Sequence, residues 1–268
     1  MIPSAMAFRL VLELLVRRGV ACSAGAAWGM LAAVLPLAAT AKDDAASAPL
    51  HMKDPAITPA FKEVDSIEAR VQGCVTCHGD TGQGTSNGYF PRIAGKPSEY
   101  LFNQLVGFRD GTRKYPPMNY LVAYLPDGYL HEMASWYAKQ RPALPPKPEV
   151  AFEPAVLERG KTLAIAGDKA LGLPSCESCH GKTLTGMEPG IPGLVGVRYT
   201  YLVGQLTRWR TGDRRAPEPD CMKRIATRLP EPDIAAVSVW LAQQAAPADM
   251  SPAPANSAQM PIACGSQR

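Results

Sequence analysis

A hexapeptide, Cys74-Val75-Thr76-Cys77-His78-Gly79, returns 102 residues later as Cys176-Glu177-Ser178-Cys179-His180-Gly181. Whatever the chain folds into must bring two thiols and an imidazole together twice, in the same local geometry. The duplication runs well past the hexapeptide. At an offset of 101, Pro91, Gly95, Tyr100, Leu101, Gln104 and Arg113 match Pro192, Gly196, Tyr201, Leu202, Gln205 and Arg214, and at an offset of 104 Leu125-Pro126 and Trp136 match Leu229-Pro230 and Trp240. The drift in offset reads as short loop insertions, so one folding unit is used twice. A chain of 268 residues has room for two such units of about 100 residues each.

Each copy reads as a short helix bearing the cysteines, a Gly-rich loop, a helix near Tyr100 or Tyr201, a Pro-rich loop and a closing helix. The closing helices show apolar residues at helical spacing, as in Leu130, Met133, Ala134 and Tyr137, or Ile234, Val237 and Leu241. No segment alternates as a strand would, so the fold class is mainly α. Residues 60–141 and 155–246 are the expected domains. Segment 142–154 is a Pro-rich and rather stiff linker, and 247–268 is a Pro/Ala-rich tail expected to be loop-like.

Residues 1–41 read as an export signal: Arg9, Arg17 and Arg18 precede an apolar run over 20–37, and Ala39-Thr40-Ala41 offers an A-x-A cleavage site. The alternative is an uncleaved membrane anchor. Cleavage near Ala41 takes the net charge from +4 to +2, which does not suit a nucleic-acid binder, while membrane association stays open. Export to the periplasm exposes the remaining six cysteines to an oxidising compartment.

Cys-x-x-Cys-His is the attachment signature of c-type haem: each thiol adds to one vinyl group and the adjacent histidine reaches the iron. Cys74, Cys77, Cys176 and Cys179 are therefore expected to carry two covalent haems, with His78 and His180 as iron ligands. The alternatives are a redox dithiol or a zinc site, and zinc would have to draw on both motifs at once, which two separate domains make awkward. For the sixth iron position the candidates are Met118, 40 residues after His78 in a Pro-stiffened loop, and Met222, 42 residues after His180. Met133 reads as core, Met187 as a loop contact, and His51 and His131 as surface residues. A thioether in that position blocks substrate access and favours Fe(II), which points to an electron carrier rather than an enzyme. Cys221 and Cys264 remain. They either pair, pinning the tail beside Met222, or Cys221 approaches the iron as a thiolate.

Over roughly 64–246 the chain resembles the dihaem class I cytochromes c of the cytochrome c4 type. The resemblance is carried by the two hexapeptides, Pro91 to Gly95, Tyr100-Leu101 with Gln104-Leu105, Gly111 with Arg113, Met118 and their second-copy counterparts. It implies two tandem class I cytochrome c domains with haem edges close enough for fast internal electron transfer. It also implies that Tyr100, Tyr201, Arg109, Arg113, Arg210 and Arg214 lie near the haems or their propionates. The activity implied is transfer of single electrons from a dehydrogenase or quinol-oxidising complex to a terminal oxidase. A related reading makes the chain the cytochrome subunit of a dehydrogenase complex. A dihaem peroxidase or a thiosulfate-oxidising enzyme is the alternative, the latter drawing on Cys221. The long tail, Cys221 itself and the Pro-rich linker depart from the family pattern.

Overall fold

The structure, a computed structural model, describes residues 65–146 and 151–267; the leader, His51 and the centre of the linker lie outside them. The first half begins with α1 (Ile67–Arg70), whose first turn is closed by the Ser66 hydroxyl accepting from the Ala69 N–H. It continues through α2 (Gln72–His78), α3 (Ser98–Arg109), α4 (Pro116–Val122) and α5 (Asp127–Lys139). Helices α3 and α5 pack against each other, α4 closes on α3, and Leu101, Phe108, Val122, Leu130, Met133 and Tyr137 fill the space between them.

The second half repeats the plan with additions. It comprises α6 (Pro154–Ile165), α7 (Glu177–His180), a hairpin of β1 (Gly186–Met187) and β2 (Ile191–Pro192), α8 (Tyr199–Thr211), α9 (Cys221–Arg228) and α10 (Glu231–Ala242). Its core joins Leu163, Leu184, Leu202, Leu206, Trp209, Val237 and Leu241. The class is mainly α. The segments holding Met118 and Met222 are not loops: Met118 lies in α4 and Met222 in α9. Prolines 116 and 117 occupy the first turn of α4, where no intrahelical N–H is needed and the fixed φ suits a helix. A Pro-Pro pair that reads as a loop signal here starts a helix. In α9 the same task falls to the Asp220 carboxylate, which accepts from the Lys223 N–H at 2.9 Å.

The tightest approach in the second half is between α6 and α10. A Cβ on Gly160 would lie 2.2 Å from the Ala236 carbonyl oxygen and 2.7 Å from the Trp240 Cβ. Both neighbours are held by helix backbone and cannot give way cheaply. Gly160→Ala is expected to destabilise the protein by about 2–3 kcal/mol through overpacking. Urea unfolding checks this, and an unchanged midpoint would mean the helices separate freely.

The described residues belong to one compact unit, so the linker does not hold two independent bodies apart. Its described part lies against both halves: Arg92 donates to the carbonyls of Pro142 and Ala143, and Leu144 packs on the second core. The tail is irregular, as expected, but it is not free. Ala253 pairs with Met187, exchanging backbone hydrogen bonds of 2.9 Å with Gly186 and Glu188. Further on, Cys264 is disulfide-bonded to Cys221, the first residue of α9. Met187 and Ile191 are buried together with that disulfide, so Met187 serves as core under the tail and is not a loop contact.

Candidate functional site

In each half the Cys-x-x-Cys-His segment ends in a helical turn that places its histidine inside. The chain leaves both histidines through a glycine with φ near +80°, Gly79 and Gly181, a conformation a side chain would resist. His78 is 8% exposed and His180 6%. The His78 Nδ1 lies 2.8 Å from the Pro91 carbonyl oxygen, and the His180 Nδ1 lies 2.8 Å from that of Pro192. A carbonyl only accepts, so both Nδ1 atoms carry the proton and both Nε2 lone pairs point elsewhere. That tautomer and fixed ring are what an iron ligand needs. Burial lowers both imidazole pKa values, against the pull of the carbonyl bonds, and keeps the rings neutral.

The four thiols of the motifs are unbridged and partly buried. Burial raises the pKa of Cys74 and Cys179 and pushes Cys176 up to about 12, so these are thiols and not thiolates at neutral pH. Among the described residues no cluster of three or more His, Cys, Asp or Glu side chains gathers into a metal cage. Zinc bridging the two motifs has no geometric basis. Met118 and Met222 both sit partly buried against the core of their own half, as Cys74 and Cys176 do. Met133, 4% exposed, belongs to the core, and His131 is exposed and stacked on Phe102 with ring centroids 3.5 Å apart.

Tyr100, Arg113, Tyr201 and Arg214 come together where the halves meet. Arg113 donates to the Tyr201 hydroxyl (2.8 Å), to Gln205 (2.9 Å) and to Gln104 (3.0 Å). Arg214 makes the mirror set, to the Tyr100 hydroxyl (3.1 Å), to Gln104 (2.7 Å) and to Gln205 (2.8 Å). Each arginine reaches the tyrosine and glutamine of the other repeat, and the two sets are equivalent, so an approximate twofold relates the two halves. Backbone bonds from Lys114 to Asp213 and from Arg215 to Thr112 close the same seam. Gln104 and Gln205 complete the seam, a role that neither the repeat match nor the family pattern assigns to them. Their signal was available: a polar residue repeated inside an otherwise apolar helix face is placed for a partner. Arg109 and Arg210 do not join. Arg109 is held outside by ion pairs with Asp110 and Asp127, and Arg210 is exposed, because each follows directly on the last buried residue of its helix, Phe108 or Trp209, and lies off the inward face.

The seam is short of negative charge. Arg113 is 7% exposed and Arg214 3%, and neither meets a carboxylate among the described residues. Burial and the neighbouring Arg113 lower the pKa of Arg214. Lys96 donates to the Gly193 carbonyl at 3.1 Å in the same region, and burial lowers its pKa to about 8. The buried Trp209 indole N–H, under the Arg214 guanidinium, has no acceptor among the described residues. Buried cations persist only when paired. This donor set fits a group that brings its own carboxylates, as the propionates of a porphyrin do.

Comparison with known proteins agrees with that chemistry. No family model matches the chain. It is 34% identical over 171 residues to a thiosulfate dehydrogenase electron acceptor of Thiomonas intermedia (strain K12), covering 64% of this chain and 78% of the relative. It is 32% identical over 176 residues to a cytochrome c4 of Pseudomonas aeruginosa, covering 65% and 85%. Among solved structures it is similar to reduced recombinant cytochrome c4 from Pseudomonas stutzeri, with a TM-score of 0.57 and 28% identity over 67% of this chain and 97% of that one.

Proposed function

Because this chain belongs to the cytochrome c4 family of dihaem electron-transfer proteins, we propose that Cys74 and Cys77 carry one haem and Cys176 and Cys179 the other. His78 and Met118 bind the first iron, and His180 and Met222 the second. The protein is an electron carrier with two covalent c-type haems and is not itself an enzyme. The observation that carries the residue assignment is the pair of buried histidines, each fixed by a proline carbonyl with Nε2 left free. When bound, haem supplies a reversible one-electron couple. The chain's own residues set its terms: the methionine thioethers favour the reduced metal and raise the potential, and the buried guanidiniums hold the propionates.

The disulfide bears on the enzyme alternative. With Cys221 bonded to Cys264, no thiolate is available from it to ligate an active iron. We assign the units to 60–141 and 155–246, joined by the linker over 142–154. We assign the working compartment to the periplasm, supported by the leader's pattern and the disulfide. The electron donor we propose is a dehydrogenase, a reading favoured by the name of the Thiomonas relative, with an oxidase as acceptor.

The test is an optical and redox titration of the purified holoprotein. Two haems per chain and two one-electron waves are expected. Met118→Ala and Met222→Ala should each lower one wave and remove about half of the weak long-wavelength absorption of thioether-bound ferric iron. If either variant leaves both waves and that absorption unchanged, the corresponding methionine is not the ligand.

A further inference from the structure

The two halves differ on the helices that carry their methionines. Aligned on Met118 and Met222, Tyr120 and Tyr124 of α4 and the turn after it match Arg224 and Arg228 of α9, and Asn119, half-buried and bonded to the Phe108 and Arg113 carbonyls, matches Lys223. Tyr120 is 84% exposed and Tyr124 94%, and the three cations of α9 are exposed as well. One helix offers phenol rings to solvent beside its methionine; the other offers positive charge.

The cations of α9 are unpaired among the described residues. The nearby carboxylates are engaged elsewhere: Asp220 caps the helix and binds the Ala216 N–H, Glu218 accepts from the Asp220 N–H, and Asp168 is ion-paired with Arg159. Arg228 makes only a bond to the Gly172 carbonyl, on a loop that also exposes Lys169. The imbalance extends over the matching segments, with seven cationic against three acidic residues over 199–229 and three against two over 98–125. The tail, locked to Cys221 at the start of the helix, covers its inner side and leaves the charged face open.

We propose that the outer face of α9, formed by Lys223, Arg224 and Arg228, docks an acidic redox protein, and that electrons pass between that partner and the second haem past Met222. This rests on Met222 as ligand of the second iron. The chemistry of the face selects the occupant: unpaired cations with no apolar patch between them attract a carboxylate-rich surface and gain little from an apolar one. The aromatic face of α4 is unsuited to the same partner, so the two haems address different proteins.

Plastocyanin, an acidic one-electron copper protein, serves as probe in stopped-flow exchange with the intact holoprotein. The second-order rate constant should fall about tenfold as ionic strength rises from low to physiological, the mark of attraction between opposite charges. K223Q/R224Q/R228Q should lose about tenfold at low ionic strength and most of the salt dependence, while Tyr120→Ser/Tyr124→Ser stays within twofold of the parent. Haem count, optical spectrum and both redox waves, measured on the same samples, should match the parent. A change there would indict the ligand assignment; an unchanged spectrum with an unchanged rate would overturn the docking face alone. A rate in the parent that ignores salt overturns it without any variant. Sedimentation with anionic phosphatidylglycerol vesicles covers the other source of negative charge: vesicle binding lost in the triple variant while the plastocyanin rate is unmoved would make the face a lipid site and overturn the proposal.

Discussion

Cys264→Ser should cost about 4 kcal/mol of stability, read as a lower midpoint in guanidinium unfolding of the oxidised holoprotein. The disulfide joins residues 43 positions apart, and a loop of that length loses chain entropy in the unfolded state worth about that much. The native-state consequences should be local. Releasing Cys264 frees the tail from Met187, Ile191 and the start of α9, and leaves the first half untouched. The redox wave assigned to the second haem should therefore shift or broaden while the first stays in place. Cys221→Ser should do the same, since either change breaks one bond. Equal stability of parent and variant under oxidising conditions would mean that the tail packs without its covalent anchor.

How far the sequence announced this arrangement depends on the range of the interaction. The thiols and histidine of each motif are local: three- and one-residue spacings on one helical turn leave little freedom, and they are read directly. The closing helices were legible from Leu130, Met133 and Tyr137 because burial of one face imposes the period. The sequence singles out Met118 as a candidate but hides its helix, since prolines 116 and 117 signal a break when read locally and become a helix start only once α4 packs on α3. The seam was legible least. Arg113 and Arg214 were identified through family resemblance, yet nothing in the linear order says that Arg113 binds Tyr201 and Gln205, or that Arg214 binds Tyr100 and Gln104. That exchange follows from an approximate twofold between copies, a property of the packed dimer of repeats and not of either repeat. The tail was half legible, since the two cysteines left over from the motifs point to the bond that pins it, while the pairing of Ala253 with Met187 has no linear signal. Its Pro/Ala composition forbids regular structure, but a single disulfide and one paired alanine suffice to fold it against the second half.

Removing one guanidinium from the seam gives the second large effect, and its sign is informative. Arg214 is buried against another guanidinium, under one face of Trp209, with hydrogen bonds to one tyrosine and two glutamines but no carboxylate. On the residues alone, Arg214→Met should be neutral or stabilising, because it removes a desolvated charge and its repulsion with Arg113 while filling similar volume. If haem propionates enter the seam, the same substitution leaves a buried carboxylate without its cation, and breaking such a pair costs about 3–5 kcal/mol. The prediction for the holoprotein is the second outcome, with R113M behaving alike because the repeats exchange equivalent bonds. Thermal unfolding measures the cost. The redox titration supplies an independent reading: loss of a nearby positive charge favours the ferric state, which carries one more positive charge than the ferrous, so at least one wave should move to lower potential in each variant. A more stable R214M protein with unmoved waves would place the propionates outside the seam and leave the two arginines as an uncompensated pair.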